Sequence, residues 1–140
     1  MILCMITQKN TAIIIPARLA ATRLPNKPLI MIHGKPMIYH VWERACESNL
    51  GKVIVATDSK EIQKVIEDHG GTACLTSMDH QSGTDRIFEA LQKYDNENKI
   101  EYIINLQGDL PNIDTQSLTA VLKLLENKKV NIGTLVVRIN

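Results

Sequence analysis

Thr11-Ala-Ile-Ile-Ile-Pro16 is the clearest indication of how this chain folds. It is a continuous apolar run that ends in proline, which predicts a strand buried on both faces of a sheet. Lys52-Val-Ile-Val-Ala-Thr57 and Tyr102-Ile-Ile-Asn-Leu106 repeat the pattern further along the chain. We expect a short strand over Thr72–Leu75 and one more strand over residues 132–139.

Helices are expected between these strands, because apolar residues recur there at helical spacing. Pro36 is predicted at the first position of the first helix. The apolar stripe of that helix consists of Met37, Ile38, Val41, Trp42 and Ala45. Asp58, with Glu61 three residues later, resembles a capping box and predicts the start of a second helix. Gly70-Gly71 is expected to end it.

Two further helices complete the alternation. Thr84 or Asp85 is the predicted N-cap of the third helix, and Asp114 that of the fourth. The inward side of the third helix is expected to carry Ile87, Phe88 and Leu91. Strands that alternate with helices predict an α/β fold, with a mostly parallel sheet flanked by helices and right-handed crossovers.

Composition sets the class of protein. The 140 residues are 44% hydrophobic and 22% charged, which suits one globular domain. We expect residues 11–140 to belong to that domain and residues 1–10 to be an N-terminal extension. A net charge of +1 indicates no nucleic-acid partner. Three scattered cysteines and the absence of a signal peptide or bilayer-spanning stretch predict a soluble cytoplasmic protein without a membrane partner.

The loop after the first strand concentrates positive charge. Within Pro16-Ala-Arg-Leu-Ala-Ala-Thr-Arg-Leu-Pro-Asn-Lys-Pro28 lie the cations Arg18, Arg23 and Lys27, together with prolines that restrict the backbone. Arginine and lysine side chains in such a loop are suited to phosphate oxygens. A solvated basic loop is the alternative. The glycine-rich Walker sequence is absent.

Two other segments could contribute to a site, because ligands of parallel sheets bind outside the carboxyl ends of the strands. Gln107-Gly-Asp109 places a carboxylate where a divalent ion could bridge phosphates, and a plain turn is the alternative. His80-Gln-Ser-Gly-Thr-Asp-Arg86 offers hydroxyl and amide groups for a base edge, and a helix cap would explain the same residues.

Taken together, these motifs resemble the 3-deoxy-manno-octulosonate cytidylyltransferases, also called CMP-Kdo synthetases. The resemblance runs in order from Thr11 along nearly the whole chain. It rests on Ile15-Pro-Ala-Arg18, Arg23-Leu-Pro-Asn-Lys-Pro-Leu29, Gly34-Lys-Pro-Met-Ile38, His40-Val41, Ala56-Thr-Asp58, His80-Gln-Ser-Gly-Thr-Asp-Arg86 and Asn105-Leu-Gln-Gly-Asp109. Several of these blocks are long, so the resemblance is specific.

The resemblance implies a Rossmann-like nucleotidyltransferase fold, Mg²⁺ as cofactor, and transfer of CMP from CTP to Kdo with release of pyrophosphate. It implies catalytic roles for Arg18, Lys27 and Asp109, and a metal-binding role for Asp109. The implied nucleotide-binding residues are Pro16, Ala17, Arg18, Arg23, Lys27, Ser82, Gly83, Thr84 and Gln107. Among these, Ser82, Gly83 and Thr84 would line the cytosine pocket.

The chain departs from the family pattern in two residues and in length. Asn26 stands where the basic loop normally has Gly, and Leu110 stands where a Glu normally follows Gln-Gly-Asp. Asn tolerates a left-handed backbone, whereas Leu110 removes a carboxylate beside the metal position. Family members continue beyond residue 140 and are expected to be homodimers, so we expect this chain to be their N-terminal portion.

Three alternatives to this interpretation differ in what they would bind. A catalytically inactive nucleotide-binding remnant is consistent with Leu110 and the length of the chain. A related enzyme such as a sialic-acid cytidylyltransferase would share the basic first loop, although Ser82-Gly-Thr-Asp-Arg86 favours the Kdo enzyme. A nicotinamide-binding domain is disfavoured, because Gly-x-Gly-x-x-Gly does not follow the first strand.

Overall fold

A computed structural model describes residues 5–19, 25–80, 82–127 and 129. The strands are β1 (Thr11–Ala17), β2 (Met31–Ile32), β3 (Lys35–Pro36), β4 (Lys52–Thr57), β5 (Thr72–Leu75) and β6 (Tyr102–Asn105). The helices are α1 (Met37–Ser48), α2 (Lys60–Asp68), α3 (Gly83–Tyr94) and α4 (Thr115–Leu124). The strand predicted over residues 132–139 lies outside the described residues.

Four of the strands form one parallel sheet in the order β5-β4-β1-β6. β1 is central, since it pairs with β4 from Ala12 onward and with β6 from Thr11 onward. All seven residues of β1 are buried. The apolar run at residues 11–16 is therefore a strand covered on both faces, as predicted, and the carboxyl ends of β1, β4, β5 and β6 share one edge.

Helices cover both faces of this sheet. Ile13 and Ile15 of β1 belong to a core cluster that contains buried residues of α1, α2 and α4. Ala12 and Ile14 point to the other face, where they cluster with Ile87 of α3. This alternation along β1 follows from the two-residue period of a strand and gives three layers.

The helix starts differ from the prediction at three places. α2 is capped by Ser59 rather than Asp58, and the Ser59 side chain accepts a hydrogen bond from the Ile62 backbone N–H. α3 is capped by Ser82 rather than Thr84 or Asp85. Pro36 precedes α1 in an extended conformation instead of occupying its first turn. The Asp114 cap of α4 is confirmed.

Phe88 was predicted to face inward but is 60% exposed. Ile87 and Ala90 are the residues of α3 that pack on the sheet, and Arg86 is buried beside them. The helical face that meets the sheet is thus shifted by about one residue from the predicted stripe. The apolar pattern did not indicate this shift, because one of the buried positions is occupied by the charged residue Arg86.

A two-stranded hairpin precedes α1, and the apolar periodicity did not predict it. Ile32 pairs with Lys35, so His33 and Gly34 form a two-residue loop. Both have positive φ, 49° at His33 and 81° at Gly34. This is the backbone of a type I′ turn, which matches the twist of the flanking strands and favours Gly.

The segment before β1 lies against the domain. The backbone N–H groups of Glu101 and Tyr102 both donate to Asn10 O, at 2.8 Å and 3.0 Å, next to the β1–β6 pairing. Ile6 packs against the larger core cluster. Within the described ranges, no helix has both the length and the apolar character needed to cross a membrane.

Candidate functional site

A cleft of about 200 Å³ opens at the carboxyl edge of the sheet. Three segments that are distant in sequence supply its walls: the end of β1, the start of α3 with the residues before it, and the turn after β6. The lining residues are Pro16, Ala17, Arg18, His80, Ser82, Gly83, Arg86 and Gln107. The position agrees with the expectation for parallel sheets, in which ligands bind beyond the strand ends.

Two glycines allow the walls of this cleft to approach β1. A Cβ atom added at Gly83 would lie 3.3 Å from Cγ of Pro16. A Cβ atom added at Gly108 would lie 3.2 Å from the backbone oxygen of Pro16 and 3.4 Å from Cβ of Ala17. Larger residues at either position would therefore push α3 or the turn after β6 away from the end of β1.

The basic loop returns to the end of β1. The Asn26 backbone N–H donates to Leu19 O at 3.0 Å, so the two ends of the loop meet. Asn26 has φ 61° and ψ 18°, which confirms that it adopts the left-handed backbone expected of a Gly substitute. Arg23 lies outside the described residues.

Lys27 joins the basic loop to the turn after β6. Its Nζ lies 3.4 Å from Oδ2 of Asp109, and the two side chains are 37% and 52% exposed. The basic loop and the Gln107-Gly-Asp109 turn, which the sequence separates widely, are thus neighbours in space. Lys27 and Asp109 stand beside the cleft rather than among the residues that line it.

His80 is oriented by a carboxylate. Its Nε2 lies 2.8 Å from Oε1 of Glu89, and the same oxygen accepts the Ser77 backbone N–H at 3.0 Å. Lys93 Nζ lies 2.9 Å from the other oxygen. The pKa of the Glu89 carboxyl falls to about 2, chiefly because of the Ser77 N–H, although desolvation opposes the shift and Lys93 and His80 add to it.

An ionised carboxylate only accepts hydrogen bonds, so Nε2 of His80 must carry the hydrogen of the bond to Glu89. His80 is 20% exposed and lines the cleft, which places a carboxylate-oriented imidazole in its wall.

Arg86 is buried at the cleft, with only 3% of its surface exposed. Its Nη1 donates to Oγ1 of Thr76 and, at 3.2 Å, to the Ser77 backbone oxygen. Its Nη2 lies 3.6 Å from Oδ2 of Asp58, just after β4. The guanidinium therefore ties α3 to the ends of β4 and β5.

The structure gathers most of the residues that the sequence singled out. Pro16, Ala17, Arg18, Ser82, Gly83 and Gln107 all line the cleft. Thr84 is exposed in the first turn of α3 and is not among the lining residues. His80 and Arg86 had been quoted within a motif but given no role. The sequence signal for Arg86 was its spacing. Arg86 comes four residues after Ser82 and three after Gly83, and residues at these spacings lie on the same face of a helix.

The residues present fit a magnesium ion whose coordination is completed by oxygen atoms of the substrate. Asp109 offers one half-exposed carboxylate, and Mg²⁺ commonly takes one or two carboxylates together with phosphates and water. Among the residues that the structure describes, no three His, Cys, Asp or Glu side chains converge as metal ligands. A cage made by these residues alone is therefore absent.

A model of the family described as Cytidylyltransferase matches residues 12–140. The chain belongs to the cytidylyltransferase family. The match begins at β1 and includes every segment that lines the cleft. It agrees with the absence of the dinucleotide fingerprint after β1.

Among curated cytidylyltransferases, the chain is 50% identical over 135 residues to the 3-deoxy-manno-octulosonate cytidylyltransferase of Brucella suis, covering 96% of this chain and 54% of the relative. It is 52% identical over 133 residues to the protein of the same name from Afipia carboxidovorans, covering 95% of this chain and 54% of that relative. The chain thus spans about half the length of the curated relatives it matches. The resemblance read from the motifs is confirmed.

A solved cytidylyltransferase structure is also similar. It is described as CMP:2-keto-3-deoxy-manno-octonic acid synthetase complexed with CTP, and it superposes with a TM-score of 0.77 at 41% identity. The match covers 85% of this chain and 48% of the solved one. The predicted nucleotidyltransferase fold, with a mostly parallel sheet flanked by helices, is confirmed.

Proposed function

We propose that this chain carries the CTP-binding part of an enzyme that transfers CMP from CTP to 3-deoxy-D-manno-octulosonate, giving CMP-Kdo and pyrophosphate for lipopolysaccharide synthesis. The observation that carries the proposal is the cleft, where the ends of β1 and β6 meet the start of α3. The similar structure that is described as complexed with CTP supports a nucleotide in such a cleft.

The polar groups of the cleft suggest how CTP would lie. Ser82 and Gly83, which line the cleft at the start of α3, suit the polar edge of the cytosine ring, whereas Arg18 suits phosphate oxygens. Lys27, beside the cleft, would meet the outer phosphates together with Arg23. Gln107 would face the nucleotide or the sugar. Its Nε2 already donates to Asn105 at 3.0 Å, which leaves the amide oxygen to accept.

The reaction requires no covalent enzyme intermediate. The anomeric hydroxyl oxygen of Kdo bonds to the α-phosphorus, the bond between the α-phosphorus and the bridging oxygen breaks, and the hydroxyl proton passes to solvent. Arg18 and Lys27 would neutralise the negative charge that develops on the departing pyrophosphate. Their contribution depends on position, since a displacement of about 1 Å can lower a rate on the order of a hundredfold.

Asp109 would hold the magnesium ion. When bound, that ion would neutralise phosphate charge and help to orient the α-phosphate. Asp109 now faces Lys27, so binding of the metal and nucleotide would exchange this ion pair for contacts of each residue with the substrate complex. We further propose a cytoplasmic location and a homodimer for the complete enzyme.

Calorimetric titration of the chain with CTP, UTP and NAD, each with and without Mg²⁺, tests the binding part of this proposal. CTP is expected to bind most tightly, because an unpaired polar group of the wrong base costs about 1–3 kcal/mol, or roughly ten- to a hundredfold in affinity. Equal affinity for CTP and UTP would contradict the proposal.

A pyrophosphate-release assay with CTP, Mg²⁺ and Kdo tests the reaction. We expect the full-length Brucella suis relative to turn over and the 140-residue chain to bind CTP without measurable turnover. The reason is the number of metal ligands. Asp109 is followed by Leu110, so this motif supplies only one carboxylate to the metal. Turnover by the 140-residue chain near that of the relative would show that a second carboxylate is not needed.

A further inference from the structure

Arg86 differs from the other cations near the cleft in burial. Among the described residues, it is the only charged side chain classed with the buried residues, at 3% exposure. Arg18 is exposed, and the side chain of Lys27 retains 37% of its exposure. A buried guanidinium requires fixed partners, because an unpaired charge in a protein interior is strongly unfavourable.

Those partners are three groups from two loops. Thr76 Oγ1 and Ser77 O accept from Nη1, and the carboxylate of Asp58 faces Nη2 at 3.6 Å. The Asp58 side chain is itself only 13% exposed. Both atoms that accept from Nη1 lie in the loop after β5, and Asp58 lies after β4. The plane of the guanidinium is therefore fixed by the loops that follow β4 and β5 rather than by the ligand.

The charge of Arg86 is compensated before any ligand binds. Asp58 lies against the guanidinium, so the pair contributes little net attraction for a triphosphate. Fixed N–H donors still contribute direction, since their hydrogen bonds require an acceptor in a particular place. A neutral heterocycle with acceptors at its edge suits such a group better than a phosphate chain does.

Cytosine and uracil differ in this respect. Cytosine presents two adjacent acceptors, O2 and N3, to a planar pair of N–H donors. Uracil presents the acceptor O2 beside N3–H, which is a donor and would oppose an N–H of the guanidinium. A guanidinium that cannot rotate therefore selects cytosine, whereas one that can rotate adapts to either base.

We propose that Arg86 is a specificity-determining residue that donates to the O2 and N3 edge of cytosine, and that Asp58 is its positioning residue. This assignment rests on the proposed binding of CTP in the cleft. It deepens that function by naming the group that rejects uracil. It also gives a role in nucleotide choice to Asp58, which is not itself one of the residues that line the cleft.

The test compares affinities of the chain for CTP, UTP and inorganic tripolyphosphate by calorimetry. Arg86→Lys keeps the charge but removes the planar donors, and Asp58→Asn keeps Arg86 but removes its charged partner. Both are expected to lower the ratio of CTP to UTP affinity by about tenfold or more. Arg86→Lys is expected to change tripolyphosphate affinity by less than about threefold, and Asp58→Asn, which removes a negative charge, is expected not to lower it. Asp58→Glu is expected to retain more of the ratio than Asp58→Asn.

Arg44→Lys is the matched control. Arg44 is an exposed arginine of α1 that pairs with Glu47 at 3.0 Å, away from the cleft, so the affinity ratio should not change. Circular dichroism verifies folding, and Asp58→Asn carries the test if Arg86→Lys does not fold. A ratio that survives in a folded variant overturns the assignment, as does a parallel loss of CTP and tripolyphosphate affinity.

The same titration separates this inference from the function on which it rests. If the wild-type chain shows no preference for CTP over UTP, the proposed function and the assignment both fail. If the wild-type chain prefers CTP and the folded Asp58 and Arg86 variants retain that preference, only the assignment fails.

Discussion

Replacing Lys27 by alanine should separate its role in binding from its role in stability. Lys27 Nζ lies 3.4 Å from Asp109 Oδ2, and the two side chains are 37% and 52% exposed. An ion pair this exposed contributes about 0–1 kcal/mol to folding, because water and salt screen it. The melting temperature of Lys27→Ala should therefore stay close to that of the wild type.

Binding of a triphosphate should respond much more strongly. A charge-assisted hydrogen bond to phosphate contributes about 1.5–3 kcal/mol, and partial exposure of Lys27 favours the lower end. About 1.5 kcal/mol corresponds to a loss of roughly tenfold in CTP affinity. CMP lacks the outer phosphates that Lys27 is proposed to meet, so its affinity should fall by less than about threefold.

Lys64→Ala provides the comparison, since Lys64 Nζ lies 2.7 Å from Asp68 on α2 and the Lys64 side chain is 75% exposed. This variant removes a cation and an ion pair of the same kind without approaching the cleft. Calorimetry with CTP and CMP on the three proteins decides the matter. If Lys27→Ala weakens CTP and CMP by the same factor, or Lys64→Ala matches it, our placement of Lys27 is wrong.

Three other perturbations give distinct results. Gly51→Ala would place Cβ 2.1 Å from the Thr11 backbone oxygen, so it should lower the melting temperature more than Gly70→Ala, which meets no atom within 4 Å but has φ +83°. In urea unfolding, Gly51→Ala should lower the free energy of unfolding by about 3 kcal/mol, and Gly70→Ala should lower it by about 1 kcal/mol. Because the Glu89 pKa falls from 4.5 to about 2, its stabilisation is present above pH 4.5 and lost as pH decreases toward 2. The difference in melting temperature between wild type and Glu89→Gln should shrink over that range. Asp109→Asn should abolish the increase in CTP affinity that Mg²⁺ produces, and an undiminished increase would contradict the metal assignment.

The strands of the parallel sheet could be predicted because burial leaves a strong mark on sequence. The run before Pro16 and the run at Lys52–Thr57 have few polar residues, and both became strands as expected. The hairpin before α1 was missed, because each of its strands has only two residues and no periodicity develops over that length. Its only sequence signal was the His33-Gly34 turn.

Helix caps were harder to place than helices. Asp58 and Ser59 are both good caps by residue type, and the choice between them depends on which side chain reaches the third N–H. Ser59 makes that bond, at 3.2 Å to the Ile62 N–H, while Asp58 faces Arg86 instead. The ion pair with the distant Arg86 thus engages Asp58 and leaves Ser59 as the cap of α2. The sequence near residue 58 does not reveal such a long-range contact.

The candidate site was partly predictable for a similar reason. Topology alone brings the ends of β1 and β6 together, so Arg18 and Gln107 could be expected at one edge. The pairing of Lys27 with Asp109 and the orientation of His80 by Glu89 depend on side-chain geometry across separate elements. The apolar pattern of α3 carries no information about Arg86, because a buried arginine looks like a surface residue in sequence.

The position of β1 between β4 and β6 also governs when a growing chain first becomes able to bind. β6 joins the described sheet by pairing Tyr102 with Thr11, so the chain must be synthesised beyond Tyr102 before that pairing forms. Contacts between such distant segments are slow to form. Gln107, which lines the cleft, follows β6 in the chain. A nascent chain arrested before β6 would therefore leave one edge of β1 open, and nucleotide would begin to stabilise the fold by mass action only after β6 had docked, by about 2.7 kcal/mol at a hundred times its dissociation constant.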